Sequence, residues 1–255
     1  MDFKKITSTN DLRTYLNAPF SNSTWDKAFH YTSLYNLFLI CEKHTLLFST
    51  LKRMNDFLEL KFAPTCEDYF MSFTTGKGTE FENFGMWAMY GHIKDVIDSN
   101  ESLEVQSKKI GVKLGFQNNA LENLVHNTRG LSAHFVAYTD LIFRKNKKIK
   151  FRSSENKNGI TLDNSLSGFI KDNSWSYENE LRLCLNKEFA TDNGDGSAYI
   201  KVDDSFLKEI QVYPSPLYKD YHECESIFEK LWGTKNSPVT FHNNNYKGLY
   251  NAIKK

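Results

Sequence analysis

The chain has 255 residues, with 32 Lys and Arg against 31 Asp and Glu and a formal net charge of +1. It is long enough for a full hydrophobic core and carries no net field that would draw nucleic acid or an acidic partner to the whole molecule. Aromatic residues make up 15%, including 20 Phe and 13 Tyr, which excludes a disordered chain, and the scattered cysteines and short apolar runs lead us to expect a reduced cytoplasmic protein without a membrane span.

Asn10-Asp11 followed by Leu12, Tyr15 and Leu16 predicts a capped amphipathic helix. Ala28 to Thr32 reads as a short strand, and Thr32 and Ser33 can cap a helix carrying Leu34, Leu37, Phe38 and Cys41 at helical spacing. Thr45 to Ser49 is a second strand, followed by a polar loop from Lys52 to Glu59. Phe70 to Thr74 is a strand, Phe84 to Tyr90 one or two helical turns, and Ile110 to Phe116 a strand with alternate glycines.

A helix over 119–126 and a strand around 134–138 come next. Residues 144–174 are charged and polar and are expected to form an exposed basic insertion. Leu181, Leu183 and Leu185 alternate with Glu180, Arg182 and Cys184, the pattern of a strand with one aliphatic and one mainly polar face. Asp192-Asn-Gly-Asp-Gly196 turns that chain into a hairpin with 198–202, and Ile210 to Tyr213 is a further strand before a helix with Tyr221, Cys224 and Phe228 on one face. Strands that do not alternate regularly with helices predict a single α+β domain with a mostly antiparallel sheet and flanking helices.

Gly76-Lys77-Gly78-Thr79 does not meet the spacing of a phosphate-binding loop, and H-E-x-x-H, G-x-S-x-G and G-x-G-x-x-G are absent. The seven histidines show no ligand spacing, so no metal is expected. What remains are three segments: Phe29-His30-Tyr31-Thr32, Met86-Trp87 to Tyr90, and Trp175 to Arg182. In the third, period 2 places Glu178, Glu180 and Arg182 on one strand face, with the carboxylates roughly 6–7 Å apart. Adjoining negative charges raise the cost of ionising both, and Arg182 lowers it. Taken singly, E-x-E-x-R reads as a solvated edge strand with an ordinary ion pair, and Trp87 and Tyr90 read as core.

Together the segments resemble the bacterial domain of unknown function 2971. The resemblance runs through His30 to Leu34, Phe48-Ser49 to Asn55-Asp56 and Glu59, Ser72-Phe73, Met86-Trp87 to Tyr90, Gly111 to Phe116, and Trp175 to Arg182. Asn55-Asp56-Phe57 departs from the family's Asn-Asp-Pro. That family in turn resembles a distant branch of the ADP-ribosyltransferase fold, a split antiparallel sheet that clamps NAD.

The resemblance implies an enzyme that breaks the nicotinamide–ribose bond through an oxocarbenium-like transition state, which needs a carboxylate near the developing charge. Glu180 is expected in that role, Glu178 in orienting or activating the acceptor, and Arg182 in holding a carboxylate or a phosphate of the dinucleotide. His30 is expected to hydrogen-bond a ribose hydroxyl, with Tyr31, Thr32 and Asn55 also at the NAD site. Tyr90 is the first choice to stack on nicotinamide and Tyr31 or Trp87 the alternates.

Arg144, Lys145, Lys147, Lys148, Lys150 and Arg152 place six cations in nine residues beside Phe143 and Phe151. Cations alternating with rings suit a phosphate backbone and unstacked bases, so nucleic acid, RNA in particular, is the favoured acceptor and a protein side chain the competing one. By resemblance, the expected role is a toxin in defence or growth arrest held by a cognate antitoxin. NAD glycohydrolase activity and a non-catalytic nucleic-acid-binding module stay open as alternatives.

Overall fold

The computed structural model describes residues 6, 8–21, 25–54, 59, 63, 66–76, 84–90, 98, 100–139, 142–143, 149–151, 160–161, 164–216, 221–233 and 236–242. It begins with helix α1 (Thr9–Leu16), strand β1 (Lys27–Ser33), helix α2 (Leu34–Lys43) and strands β2 (Thr45–Thr50) and β3 (Tyr69–Gly76). Next come α3 (Phe84–Tyr90), α4 (Leu103–Lys109), β4 (Gly111–Gln117), α5 (Asn118–Asn127), β5 (Leu131–Phe135) and β6 (Ala137–Thr139). Short strands β7 (Ile142–Phe143), β8 (Ile149–Phe151), β9 (Ile160–Thr161) and β10 (Ile170–Asp172) lead into β11 (Glu180–Leu185). The chain continues through β12 (Thr191–Asp192), β13 (Ser197–Lys201), α6 (Asp204–Lys208), β14 (Gln211–Pro214), α7 (Tyr221–Trp232) and β15 (Thr240–Phe241). The class is α+β with mostly antiparallel pairing, as expected. No helix among the described residues is long and apolar enough to cross a membrane.

The chain divides into two compact units, each assembled from three segments. The first unit comprises Met1–Thr24, Leu47–Thr74 and Val125–Ile200. In it β11 lies between β3 and β5, antiparallel to both, with Glu180 opposite Thr74, Leu181 opposite Phe73 and Phe135, and Arg182 opposite Ser72 and His134. Alternation therefore puts Glu180, Arg182 and Cys184 on one face with Thr74, Ser72 and Phe70, and Leu181, Leu183 and Leu185 on the other with Phe73 and Met71. The two-faced strand read from the sequence is present, but both faces are buried.

On the Arg182 face a core forms from Leu12 and Leu16 of α1, Leu51, Phe70, Ala137, Leu166, Phe169, Ile170 and Cys184. Leu166, Phe169 and Ile170 belong to the stretch expected to be an exposed insertion over 144–174. They are instead buried: Asn164–Phe169 is a 3-10 segment, and the next strand, β10, pairs parallel with β6. Charged neighbours in the sequence concealed these apolar residues. The cap of helix α1 lies two residues earlier than Asn10, in a Ser8/Asp11 capping box.

The second unit comprises Trp25–Leu46, Thr75–Leu124 and Lys201–Lys255. Strand β4 lies between β1 and β14, antiparallel to both, and β15 runs parallel to β14. Helices α2, α4 and α7 pack on one another. Ser33 caps α2 as expected, and His44 closes that helix in the left-handed conformation, at φ 52°.

Tyr31, Lys113 and Tyr213 form one cross-strand row and Phe29, Gly115 and Gln211 the next on the same face. A Cβ on Gly115 would stand 3.0 Å from the Tyr213 ring and 3.2 Å from that of Phe29, so the glycine lets these rings close over β4. Gly115→Ala is expected to cost about 1–3 kcal/mol of stability through overpacking, read as a lowered urea midpoint with an unchanged slope.

Candidate active site

The centre of the first unit is a buried cluster of charge. Arg182 has no exposed side-chain surface and reaches three acceptors. Its Nε donates to Glu180 Oε1 at 2.8 Å and its Nη2 to Glu180 Oε2 at 3.1 Å, while Nη2 also donates to Glu59 Oε1 at 2.9 Å. Nη1 donates to the Gly168 carbonyl. The two-point grip on Glu180 is the fork geometry that arginine provides and lysine does not. Of the two roles expected for Arg182, it performs the holding of a carboxylate. The Phe70 ring lies 5.3 Å from the guanidinium carbon.

Lys171, on β10, closes the other side. Its ammonium stands 2.5 Å from Glu178 Oε2 and 2.8 Å from Glu180 Oε2. Glu178, however, is not on the strand. It ends a 3-10 turn over Asn173–Glu178, and Asn179 follows in the left-handed region at φ 45° before β11 begins. The expected period-2 alignment of Glu178 with Glu180 is thus broken, because a left-handed residue reverses the chain between them and asparagine tolerates that conformation. The two carboxylates meet at Lys171 instead.

Among the described residues three carboxylates, Glu59, Glu178 and Glu180, meet two cations in this buried cluster, and carboxylates held so close together raise the cost of ionising all three. Burial pushes Glu178 up to about 7, with Lys171 opposing and Glu180 adding to the shift. Burial also raises Glu59, against Arg182 and Lys171. At Glu180 burial is outweighed by Arg182 and Lys171, which hold the carboxyl down at about 2. Burial works against charge on Lys171 and Arg182 as well, but the carboxylates keep both firmly protonated. The result is one permanently ionised carboxylate beside one that titrates near neutrality.

Tyr138 accepts the Glu180 backbone N–H at 2.8 Å, and burial with the Glu180 charge holds its phenol protonated. Across the strand pair from Glu180, Thr74 buries a hydroxyl that has no hydrogen-bond partner among the described residues. His134 lies on the same face, its Nε2 2.8 Å from Ser132 Oγ and its Nδ1 2.9 Å from Asn17 Oδ1. Burial pushes this imidazole down to about 4, so it is neutral at physiological pH.

Apart from Lys150, the remaining expected residues belong to the second unit or lie outside the described residues. On β1, His30 and Thr32 point to one face and Tyr31 to the other. The Thr32 hydroxyl accepts from the Asn36 side chain at 2.9 Å. Tyr31 packs edge-on against Trp87, with ring centroids 4.9 Å apart and planes at 86°, and both are buried. Tyr90 packs at the edge of that cluster and is half-buried. Asn55 and the cations Arg144, Lys145, Lys147, Lys148 and Arg152 lie outside the described residues. Lys150 is described by its backbone alone, in β8 opposite Ile142 and Thr161. Among the described residues no group of His, Cys, Asp and Glu could hold a metal ion.

Glu59, Lys171 and Tyr138 complete the cluster and were given no role from the sequence. The signal for Glu59 was a charge between two leucines, Leu58-Glu59-Leu60, a context in which a charge has to be paired, whereas Lys171 follows Phe169-Ile170 but precedes Asp172-Asn173 and carried no such mark.

Residues 86–183 match the model of the family described as Protein of unknown function (DUF2971), the family that the motifs resemble. The matched stretch includes Trp87, Tyr90, Lys171, Glu178, Glu180 and Arg182, and it excludes His30 and Glu59. No curated protein and no solved structure matches the chain.

Glu178 is raised from its ordinary value of 4.5 to about 7 in the folded protein, so the folded state holds more protons than the unfolded state between those limits. The resulting stability is fully present below about pH 4.5 and is lost as pH rises through 7. In urea unfolding at pH 5, 6, 7 and 8 the stability of wild type relative to Glu178→Gln is expected to fall by on the order of 2–3 kcal/mol, while His134, held neutral below its ordinary value, adds the opposite slope to both proteins. A slope unchanged by the substitution would remove Glu178 as its source. Arg182→Lys keeps the charge but loses the fork, and is expected to cost roughly 3–5 kcal/mol in the same assay.

Proposed function

We propose that the protein is an ADP-ribosyltransferase that takes NAD as substrate and modifies a macromolecular acceptor, with nucleic acid, RNA in particular, favoured. The observation that carries the reading is the carboxylate pair bridged by Lys171, 2.5 Å from Glu178 and 2.8 Å from Glu180, with Arg182 committed to Glu180, an asymmetry that holds Glu180 down and leaves burial to raise Glu178. Two carboxylates whose environments separate their proton affinities can divide electrostatic and acid–base work between them.

In this reaction the bond between the ribose C1′ and the nicotinamide nitrogen breaks, and its electron pair leaves with neutral nicotinamide. The ionised Glu180 stabilises the oxocarbenium-like ribosyl cation that remains. An acceptor nucleophile bonds to C1′ and releases its proton to Glu178, whose affinity near neutrality suits a base that must be free at physiological pH. Arg182, Lys171 and Tyr138 act as positioning residues, fixing Glu180 through its carboxylate and its backbone N–H. The parts of His30 in binding a ribose hydroxyl and of Tyr90 in stacking on nicotinamide rest on the family resemblance.

A second reading is favoured by the burial itself. Arg182 and Glu59 are almost wholly enclosed, as in an ion cluster that serves only to join β11 to its surroundings, and the chain would then be a non-catalytic nucleic-acid-binding module.

The separating experiment is incubation of wild type and Glu180→Gln with labelled NAD and separate RNA, DNA and protein pools, with far-ultraviolet circular dichroism to establish folding. Wild type is expected to release nicotinamide and label one pool, with a loss of at least about a hundredfold in the variant. Free ADP-ribose without acceptor dependence would point to a glycohydrolase. No nicotinamide release by folded wild type in any pool would overturn the enzymatic reading. Wild-type activity is also expected to rise with pH through about 7 as Glu178 loses its proton, and Glu178→Gln to abolish that rise. In cells, the toxin role predicts growth arrest on expression of wild type and none with Glu180→Gln.

A further inference from the structure

The 3-10 turn that delivers Glu178 has an outer surface that the carboxylate chemistry does not use. From Asn173 to Asn179 the chain reads Asn-Ser-Trp-Ser-Tyr-Glu-Asn, without an aliphatic side chain. Asn173, Ser174, Ser176, Tyr177 and Asn179 are exposed and Trp175 is half-buried, while Glu178 points inward. Tyr177 is 40% exposed, among the few large apolar groups so open in the described residues. Its ring and that of Trp175 have centroids 6.1 Å apart and planes at 34°, too open to be a face-to-face stack with each other.

Beneath this surface Lys171 fixes the turn from two directions. Its ammonium stands 5.6 Å from the centre of the Trp175 ring while gripping Glu178 and Glu180. Asp172 caps the start of the turn, its carboxylate accepting the Ser174 N–H at 3.0 Å. The rings are therefore carried on a held turn, so little ordering cost remains for a ligand that lies on them.

The geometry points to Trp175 and Tyr177 as a stacking platform for an unpaired nucleobase of the acceptor, on the outer side of the turn that carries Glu178 inward. Rings supply the sequence-tolerant face contact by which single-stranded nucleic acid is held, and the flanking Asn and Ser side chains supply donors and acceptors for a base edge. An apolar peptide or a lipid surface would call for aliphatic groups here, and there are none. The bases of a duplex are hidden in their own stack, so the platform selects single strands. The position on the turn that carries Glu178 gives the platform its consequence under the transferase reading, on which the word acceptor rests; binding itself needs neither NAD nor turnover.

The test is a fluorescence titration, without NAD, of a short single-stranded RNA carrying 2-aminopurine, using wild type, Tyr177→Ala, Tyr177→Phe and Trp175→Phe. Wild type is expected to quench the probe on binding. Tyr177→Ala is expected to lose roughly tenfold or more in affinity, whereas both Phe variants, which keep a ring, stay within about threefold of wild type. The same RNA as a duplex is expected to compete poorly. Unchanged affinity in folded Tyr177→Ala, or equal binding of duplex and single strand, would overturn the platform. Quenching with the expected variant pattern in a protein that releases no nicotinamide would uphold the platform and overturn the transferase. Nicotinamide release with label on the protein pool only, and no RNA binding, would do the reverse.

Discussion

The burial of one guanidinium organises the first unit. Taking Arg182 out of water costs several kcal/mol, and only near-complete hydrogen bonding in good geometry offsets that. The chain provides it from three separate stretches: Glu59 from the segment after β2, the Gly168 carbonyl from the 3-10 turn before β10, and Glu180 from the start of β11 itself. Each of these must be in register for the charge to be tolerated. A shift of β11 by one residue against β3 would turn Arg182 toward the aliphatic face of Leu181 and Leu183 with its partners left behind. The ion cluster is thus better understood as fixing register than as adding net stability, since a hydrophobic replacement of similar shape could be as stable.

Local pattern made a good deal of this visible. The alternation of Leu181, Leu183 and Leu185 with Glu180, Arg182 and Cys184 is a short-range property of a strand, and it correctly separates the two faces of β11. Ser33 at the head of α2 was readable because caps are set by the residues that form them; the Asp192–Gly196 turn is present, but it joins β12 to β13, and the 181–185 strand expected as the hairpin partner pairs with β3 and β5 instead. Glu178 shows the limit. The strand period ends at Glu180, because Asn179 takes the left-handed conformation and breaks it.

Glu59 and Lys171 were out of reach for a different reason. Glu59 meets Arg182 across 123 positions of sequence, and no periodicity spans such a distance. Lys171 falls within the 144–174 stretch that reads as an exposed insertion, and composition over a window cannot tell a charge facing water from one facing two buried glutamates. The aromatic candidates divide similarly: Tyr31 and Trp87 fill each other's environment, whereas Tyr90 stays half-buried at the edge of the same cluster. Spacing alone did not separate these three rings.

The division of labour between the two glutamates follows from how their counter-charges are shared. Lys171 serves both, but Arg182 commits its Nε and one Nη2 contact to Glu180 alone, and Tyr138 accepts that residue's backbone N–H. Glu180 therefore has two cations close at hand. Glu178 has the lysine, whose charge Glu180 already engages, and the full cost of burial. The turn ending in Asn179 is what creates the inequality: on a continuous strand both carboxylates would have lain along one face with Arg182 beside them, and Arg182 could have served either. By lifting Glu178 off the strand and onto Lys171, the chain turns two chemically identical side chains into one fixed negative charge and one exchangeable proton.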